Sequence, residues 1–145
     1  PPDPAQPCAA PPALVSGLGP PPREVLLARN YVAIYDDEET VRTLTPDFRL
    51  LATLGKHGVI VTAPGKDCDF VSRYFGPQFG IDEDPVTGSA HCTLVPLWST
   101  RLKRTELRAR QISHRGGELR CEISGTRVLI GGQAVSYLVG EIDLP

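Results

Sequence analysis

No methionine occurs anywhere in this chain, which opens on Pro1-Pro2-Asp3-Pro4. Its first thirty residues lack the charged-then-apolar layout of a secretory leader. The ends alone lead us to expect a piece of a longer polypeptide. No uninterrupted apolar stretch approaches the roughly 20 residues that a membrane-crossing helix needs. Charge of one sign is never concentrated: 17 acids and 15 bases are interspersed, for a formal charge of -2. That rules against the basic stripe of a nucleic-acid binder and the Lys/Arg cluster of a membrane surface. There is no CxxC pair either. Cys8, Cys68, Cys92 and Cys121 stand far apart, whereas zinc ligands come in close couples. Without an export signal no disulfide framework is expected, and the four read as buried reduced thiols, Cys92 being kept open because it adjoins His91. A soluble cytoplasmic protein without a metal site is the expectation.

What is present is enough for one core: 145 residues suit a single domain. Nine of the fifteen prolines fall in the first 22 residues. Proline fixes φ and removes a backbone donor, so residues 1–22 read as an extended interdomain linker with at most a short helical turn around Ala13 to Leu18. Residues 23–145 read as the folded domain. Strands are expected at Glu24 to Arg29, Tyr31 to Tyr35, Gly58 to Ala63 and Cys68 to Tyr74. Two short helices divided by Pro46 are expected between the second and third of these. Further strands are expected at Glu106 to Ile112, Leu119 to Ile123, Arg127 to Ile130 and Gln133 to Ile142, separated by glycine-bearing turns. Thr87 to Leu102 is the exception. Ala90, Cys92, Leu94, Val95, Leu97 and Trp98 cover almost its whole circumference, so it reads as a helix surrounded by protein, kinked at Pro96. The predicted class is α+β: a curled antiparallel barrel around one central, largely buried helix.

The stretch from Gly80 to His91 concentrates the chemistry. Asp82, Glu83 and Asp84 precede Thr87-Gly88-Ser89, which opens that helix. A helix start leaves N–H groups unpaired at the positive end of the dipole, and a glycine lets an anion approach them. The candidates are Asp84 and Ser89 for catalysis, and Thr87, Gly88, Ser89, Arg115 and Gly116 for binding a substrate carboxylate. The alternative is ordinary capping, with Thr87 or Asp84 satisfying the donors. Arg115 suits a bidentate carboxylate contact or a solvent-facing hairpin. His91 reads as a hydrogen-bonded core histidine, His114 as closer to a pocket, and His57 as plain surface. A serine hydrolase does not fit, because the Gly-x-Ser-x-Gly elbow is absent. A cysteine phosphatase does not fit either, since Trp98 holds the position its arginine needs.

Asp84-Pro85-Val86-Thr87-Gly88-Ser89-Ala90 resembles the signature of the phenazine-biosynthesis-like isomerases, with Gly80-Ile81 and Glu83 in place before it. Ser113-His114-Arg115-Gly116-Gly117-Glu118-Leu119 and Gly131-Gly132-Gln133-Ala134-Val135 are similar to that family in order and spacing. The resemblance implies the C-terminal barrel domain of a two-domain isomerase or epimerase, with a fold related to diaminopimelate epimerase. It implies an active site between two halves, proton transfer on a small carboxylated metabolite, no cofactor and a homodimer. By the same resemblance Asp84 and Ser89 line the pocket, and the Gly88-Ser89 backbone holds a carboxylate. The family's proton-shuttling glutamate and its Gly-Asn-Pro turn have no counterpart here, so the chain alone is expected to be inactive. The alternative is an anion-binding or interaction module that pairs with its own copy.

Overall fold

The computed structural model describes residues 1–143. Its nine strands form one sheet: β1 (Gln6–Pro7), β2 (Glu24–Leu27), β3 (Tyr31–Ile34), β4 (Val59–Pro64), β5 (Phe70–Gly76), β6 (Ile81–Asp84), β7 (Glu106–Gln111), β8 (Gly117–Ser124) and β9 (Arg127–Gly131). The helices are α1 (Pro12–Leu18), α2 (Glu38–Thr43), α3 (Phe48–Ala52) and α4 (Gly88–Leu102). Pairing runs β1-β2-β3-β4-β5-β7-β8-β9, with β6 attached to β5 alone. The sheet has two free edges, so the expected closed barrel is not formed. Nor is it purely antiparallel: β3 with β4 and β5 with β7 are parallel. Each parallel pair is joined by a crossover carrying helix, α2 and α3 in the first case and α4 in the second, which is the connection parallel pairing requires.

Side chains alternate across the strands, and each face has its own core. Ala33, Val59, Val61, Val71 and Phe75 pack with α1, α2 and α3. Val32, Ile34, Ile60, Phe70, Leu107, Ala109, Leu119 and Cys121 pack with Ala90, Leu94, Val95 and Trp98 of α4. Asp37 caps α2 by accepting from the Thr40 N–H at 2.8 Å, and Asp47 caps α3 through Arg49 and Leu50. In α4 the enclosure is one-sided: Gly88, Ser89, Thr100 and Leu102 are exposed and Cys92, Pro96 and Leu97 half-buried. An open sheet covers one flank of a helix, and the apolar residues on the other flank remain partly accessible. Gln133 to Ile142 is not a strand; Val135, Tyr137, Leu138 and Val139 lie exposed. Its alternation has no neighbouring strand to pair with among the described residues. All four cysteines are free, and burial pushes the Cys121 thiol up to about 11. Among the described residues no helix is long and apolar enough to cross a membrane.

The proline-rich segment takes part in the fold. Its helical turn lies where the sequence placed it, and Leu14 and Leu18 are fully buried. Pro96 has no N–H to give the Cys92 carbonyl one turn earlier. The Asp3 N–H donates to that carbonyl at 2.9 Å, and Thr93 Oγ1 donates to Asp3 Oδ2 at 3.3 Å. A helix interrupted by proline is thereby mended from outside by the first residues of the chain.

His91 sits within this core, wholly enclosed, with its ring 5.9 Å from Phe70, which stacks on Trp98. Its Nδ1 hydrogen-bonds the Thr87 carbonyl at 2.9 Å, the core role read from sequence. His57 is not plain surface: it is half-buried, edge-on to Tyr31, with Nδ1 2.9 Å from the Arg29 carbonyl.

Two measurements check this packing. Leu14→Ala is expected to cost about 2–5 kcal/mol in urea unfolding, as for a core leucine; a loss near zero would make the segment a loose tether. Burial holds the His91 imidazole below the ordinary histidine value, partly offset by its bond to Thr87. The unfolded chain therefore binds more protons below about pH 6.5. Stability should be complete above that point and fall as pH drops, by up to about 1.4 kcal/mol per unit. Replacing His91 with Leu should flatten the slope between about pH 7.5 and 5.5; an unchanged slope would place its origin elsewhere.

Candidate functional site

Strand β5 shares one edge between two partners. Its first part, Phe70 to Ser72, pairs with β7, and Tyr74 to Gly76 pair with β6. Beyond Ser72 the two partners diverge, and the chain leaves β6 through Pro85 and Val86 to begin α4 in that fork. Ser72 is opposite Gln111 and Tyr74 is opposite Asp84. Partners in register share a face, so Gln111 and Asp84 both stand on the α4 side.

Strand β6 is pinned from the other side. Arg73 makes a two-pronged ion pair with Glu83, Nε to Oε1 at 2.7 Å and a terminal nitrogen to Oε2 at 3.0 Å. The same guanidinium donates to the Val41 and Leu44 carbonyls at 3.1 and 2.8 Å, satisfying the end of α2. Glu83, which immediately precedes the signature, thus holds the strand that delivers Asp84.

At the mouth of α4 the Thr87 hydroxyl donates to Asp84 Oδ2 at 2.5 Å. Gln111, only 1% exposed, supplies the rest. Its Oε1 accepts the Thr87 N–H at 2.7 Å, while its Nε2 donates to the Asp84 carbonyl at 2.7 Å and to Thr87 Oγ1 at 3.2 Å. With Thr87 and Asp84 so engaged, no side chain caps α4 among the described residues. The self-capping alternative is not realised. The Gly88 and Ser89 side of the first turn faces solvent, and a Cβ built on Gly88 would meet nothing within 4 Å. Neither is there an acidic residue in the first turn to neutralise the dipole.

The second motif comes to the same place. Ser113 Oγ donates to the Pro85 carbonyl at 2.7 Å and accepts the Gly116 N–H at 3.0 Å. A Cβ on Gly117 would sit 2.5 Å from Val86 Cγ2, so only glycine allows the two loops this approach. Gly116 turns the chain at φ +69°. The geometry therefore brings Asp84, Thr87, Gly88, Ser89 and the Arg115-Gly116 turn to one end of the molecule. Arg115 is exposed on that turn, and His114 is exposed beside it. Two contributors were missed from sequence. Gln111 gave no signal beyond being a polar residue at the close of an amphipathic strand. Tyr74 faces Asp84, and its phenol is pushed up by burial and then by the Asp84 charge.

This arrangement can hold an anion on backbone donors next to a carboxylate. Comparison with known proteins agrees with the motifs that form it. Residues 27–140 match the family described as phenazine biosynthesis-like protein. The chain is 48% identical over 139 residues to an uncharacterized isomerase of Pseudomonas aeruginosa, covering 96% of this chain and 54% of that one. It is 41% identical over 112 residues to the human phenazine biosynthesis-like domain-containing protein, covering 72% and 39%. A crystal structure of a phenazine biosynthesis protein of the PhzF family from Enterococcus faecalis superimposes with a TM-score of 0.90 at 46% identity, over 97% of this chain and 55% of that one. The chain spans about half the length of the curated relatives it matches. Fold, signature and relatives agree, and the chain belongs to the phenazine biosynthesis-like family.

Proposed function

We propose that the mouth of α4 binds the carboxylate of a small metabolite and that this chain forms one wall of the active site of a proton-transferring isomerase. The observation that carries the reading is the first turn of a fifteen-residue helix, uncapped by any side chain among the described residues, open at Gly88 and flanked by Asp84. Backbone donors there suit a carboxylate at about 2.7–2.9 Å. Asp84 and Ser89 contact the reacting metabolite beside them, and Arg115 and Gly116 close the rim. Backbone donors aimed at a carboxylate also stabilise charge that spreads into it when a neighbouring C–H proton leaves. Such chemistry calls for neither metal nor organic cofactor.

A general base must stand within hydrogen-bond reach of the proton it moves. The opposite wall, with that base, is assigned to a second unit. It is either the remaining half of the longer family members or a second copy of this chain. Relatives that carry the name isomerase, and of which this chain covers about half, support the first choice. By this reading the chain alone binds but does not turn over.

The test is a titration of benzoate and of benzamide against the wild-type chain and Gly88→Val, with folding checked by circular dichroism. A valine places a stiff branched side chain in the open space beside the donors. Benzoate affinity should fall by about tenfold or more, the loss of one charge-assisted hydrogen bond or its equivalent, while benzamide changes little. Equal loss for both would mean a deformed pocket and would remove the carboxylate site.

A further inference from the structure

We propose that Gln111 is a positioning residue whose buried amide holds the Asp84–Thr87 turn at the α4 mouth and leaves the Thr87 hydroxyl proton to Asp84 Oδ2. The proposal rests on the carboxylate-site reading for its purpose but not for its geometry.

Donor and acceptor chemistry alone carries it. An amide side chain has one acceptor oxygen and two N–H donors, and which end is which must follow from its partners. Here the choice is forced. The Thr87 backbone N–H is only a donor, so the Gln111 atom 2.7 Å away must be Oε1. The Asp84 carbonyl is only an acceptor, so the atom 2.7 Å from it must be Nε2. The second Nε2 proton then goes to Thr87 Oγ1 at 3.2 Å. Because that hydroxyl accepts from Gln111, its single proton is free to point at Asp84 Oδ2, 2.5 Å away. Through the side chains the bonds run from Gln111 Nε2 to Thr87 Oγ1 to Asp84 Oδ2, while Gln111 Oε1 accepts from the Thr87 backbone.

Two consequences follow. Oδ2 accepts the Thr87 hydroxyl within this chain, while Oδ1 makes no hydrogen bond among the described residues and is the oxygen left to meet the metabolite. The turn from Asp84 to Thr87 is also held at both ends by one buried side chain. This fixes the first turn of α4 relative to β5 even though β6 and β7 have parted there. Glutamine is long enough to reach Thr87 from the end of β7, carries one acceptor and two donors, and brings no charge beside Asp84. Glutamate matches its shape but not its donors. Leucine matches its volume but leaves the Asp84 carbonyl and the Thr87 N–H buried without partners.

The experiment needs no identified metabolite. In the wild-type chain, nitrogen-15 NMR should show both Gln111 side-chain protons and the Thr87 amide strongly protected from hydrogen exchange. The Thr87 hydroxyl proton should be visible with a through-space contact to Asp84. Gln111→Glu is then titrated with benzoate at about pH 5 and about pH 8, a range that spans a buried carboxyl raised from its ordinary value. Protonated, the introduced carboxyl can still donate to the Asp84 carbonyl; ionised, it presents only acceptor oxygens to that carbonyl and to Thr87 Oγ1. Benzoate binding by the variant should be near wild type at the lower pH and at least about tenfold weaker at the higher one. Wild type should lack that contrast. Fast exchange of the Gln111 side-chain protons in wild type would overturn the proposal. So would a Gln111→Glu variant as tight as wild type at both pH values. If benzoate fails to bind wild type at all, the carboxylate site falls, and the exchange data still decide the role of Gln111.

Discussion

Everything at the candidate site depends on β5 giving one edge to two strands. Ser72 and Tyr74 are two positions apart on the same face, yet their partners, Gln111 and Asp84, belong to strands that diverge. A fork in a sheet exposes backbone groups that a continuous ladder would pair. Here the fork is filled by the start of α4 and by the amide of Gln111. Arg73 and Glu83 anchor one prong from the opposite face, and the Ser113 hydroxyl ties the other to Pro85. The result is a helix start held in place, with the Thr87 side chain engaged elsewhere and its outward donors left open.

The same constraint explains why the helix tolerates Pro96. A helix locked at its mouth and stacked through Trp98 and Phe70 can lose one internal bond, particularly when Asp3 supplies a replacement donor to Cys92. Trp98 is held in turn by its Nε1 donating to Thr62 Oγ1 at 3.0 Å. The proline-rich beginning of the chain, the α4 core and the site are thus one mechanical unit rather than three regions.

Much of this was legible in the sequence, and the parts that were not share a cause. Strand periods, the two short helices divided by Pro46, the short helix within residues 1–22 and the Asp84 to Ala90 signature are local, and local patterns predicted them. Sheet closure is not local. The parallel pairs follow from crossovers whose paths the strand pattern leaves open, so a barrel was expected where an open mixed sheet stands. Gln133 to Ile142 was expected as a strand, but a strand also needs a neighbour, and none lies beside it among the described residues. Gln111 makes its bonds across 24 and 27 residues of chain. Nothing near it in sequence separates it from the alternating polar positions of β7, and only the fork reveals its task.

The central claim is that Gly88 and Ser89 present backbone donors to a carboxylate beside Asp84. The most direct measurement is a crystal structure of the chain soaked with 4-bromobenzoate, the ligand located by the anomalous signal of bromine. The account predicts a carboxylate with an oxygen about 2.7–2.9 Å from at least one of those two nitrogens, and Gln111 unmoved. A carboxylate bound elsewhere, or a mouth filled by a side chain of the same domain, would contradict it.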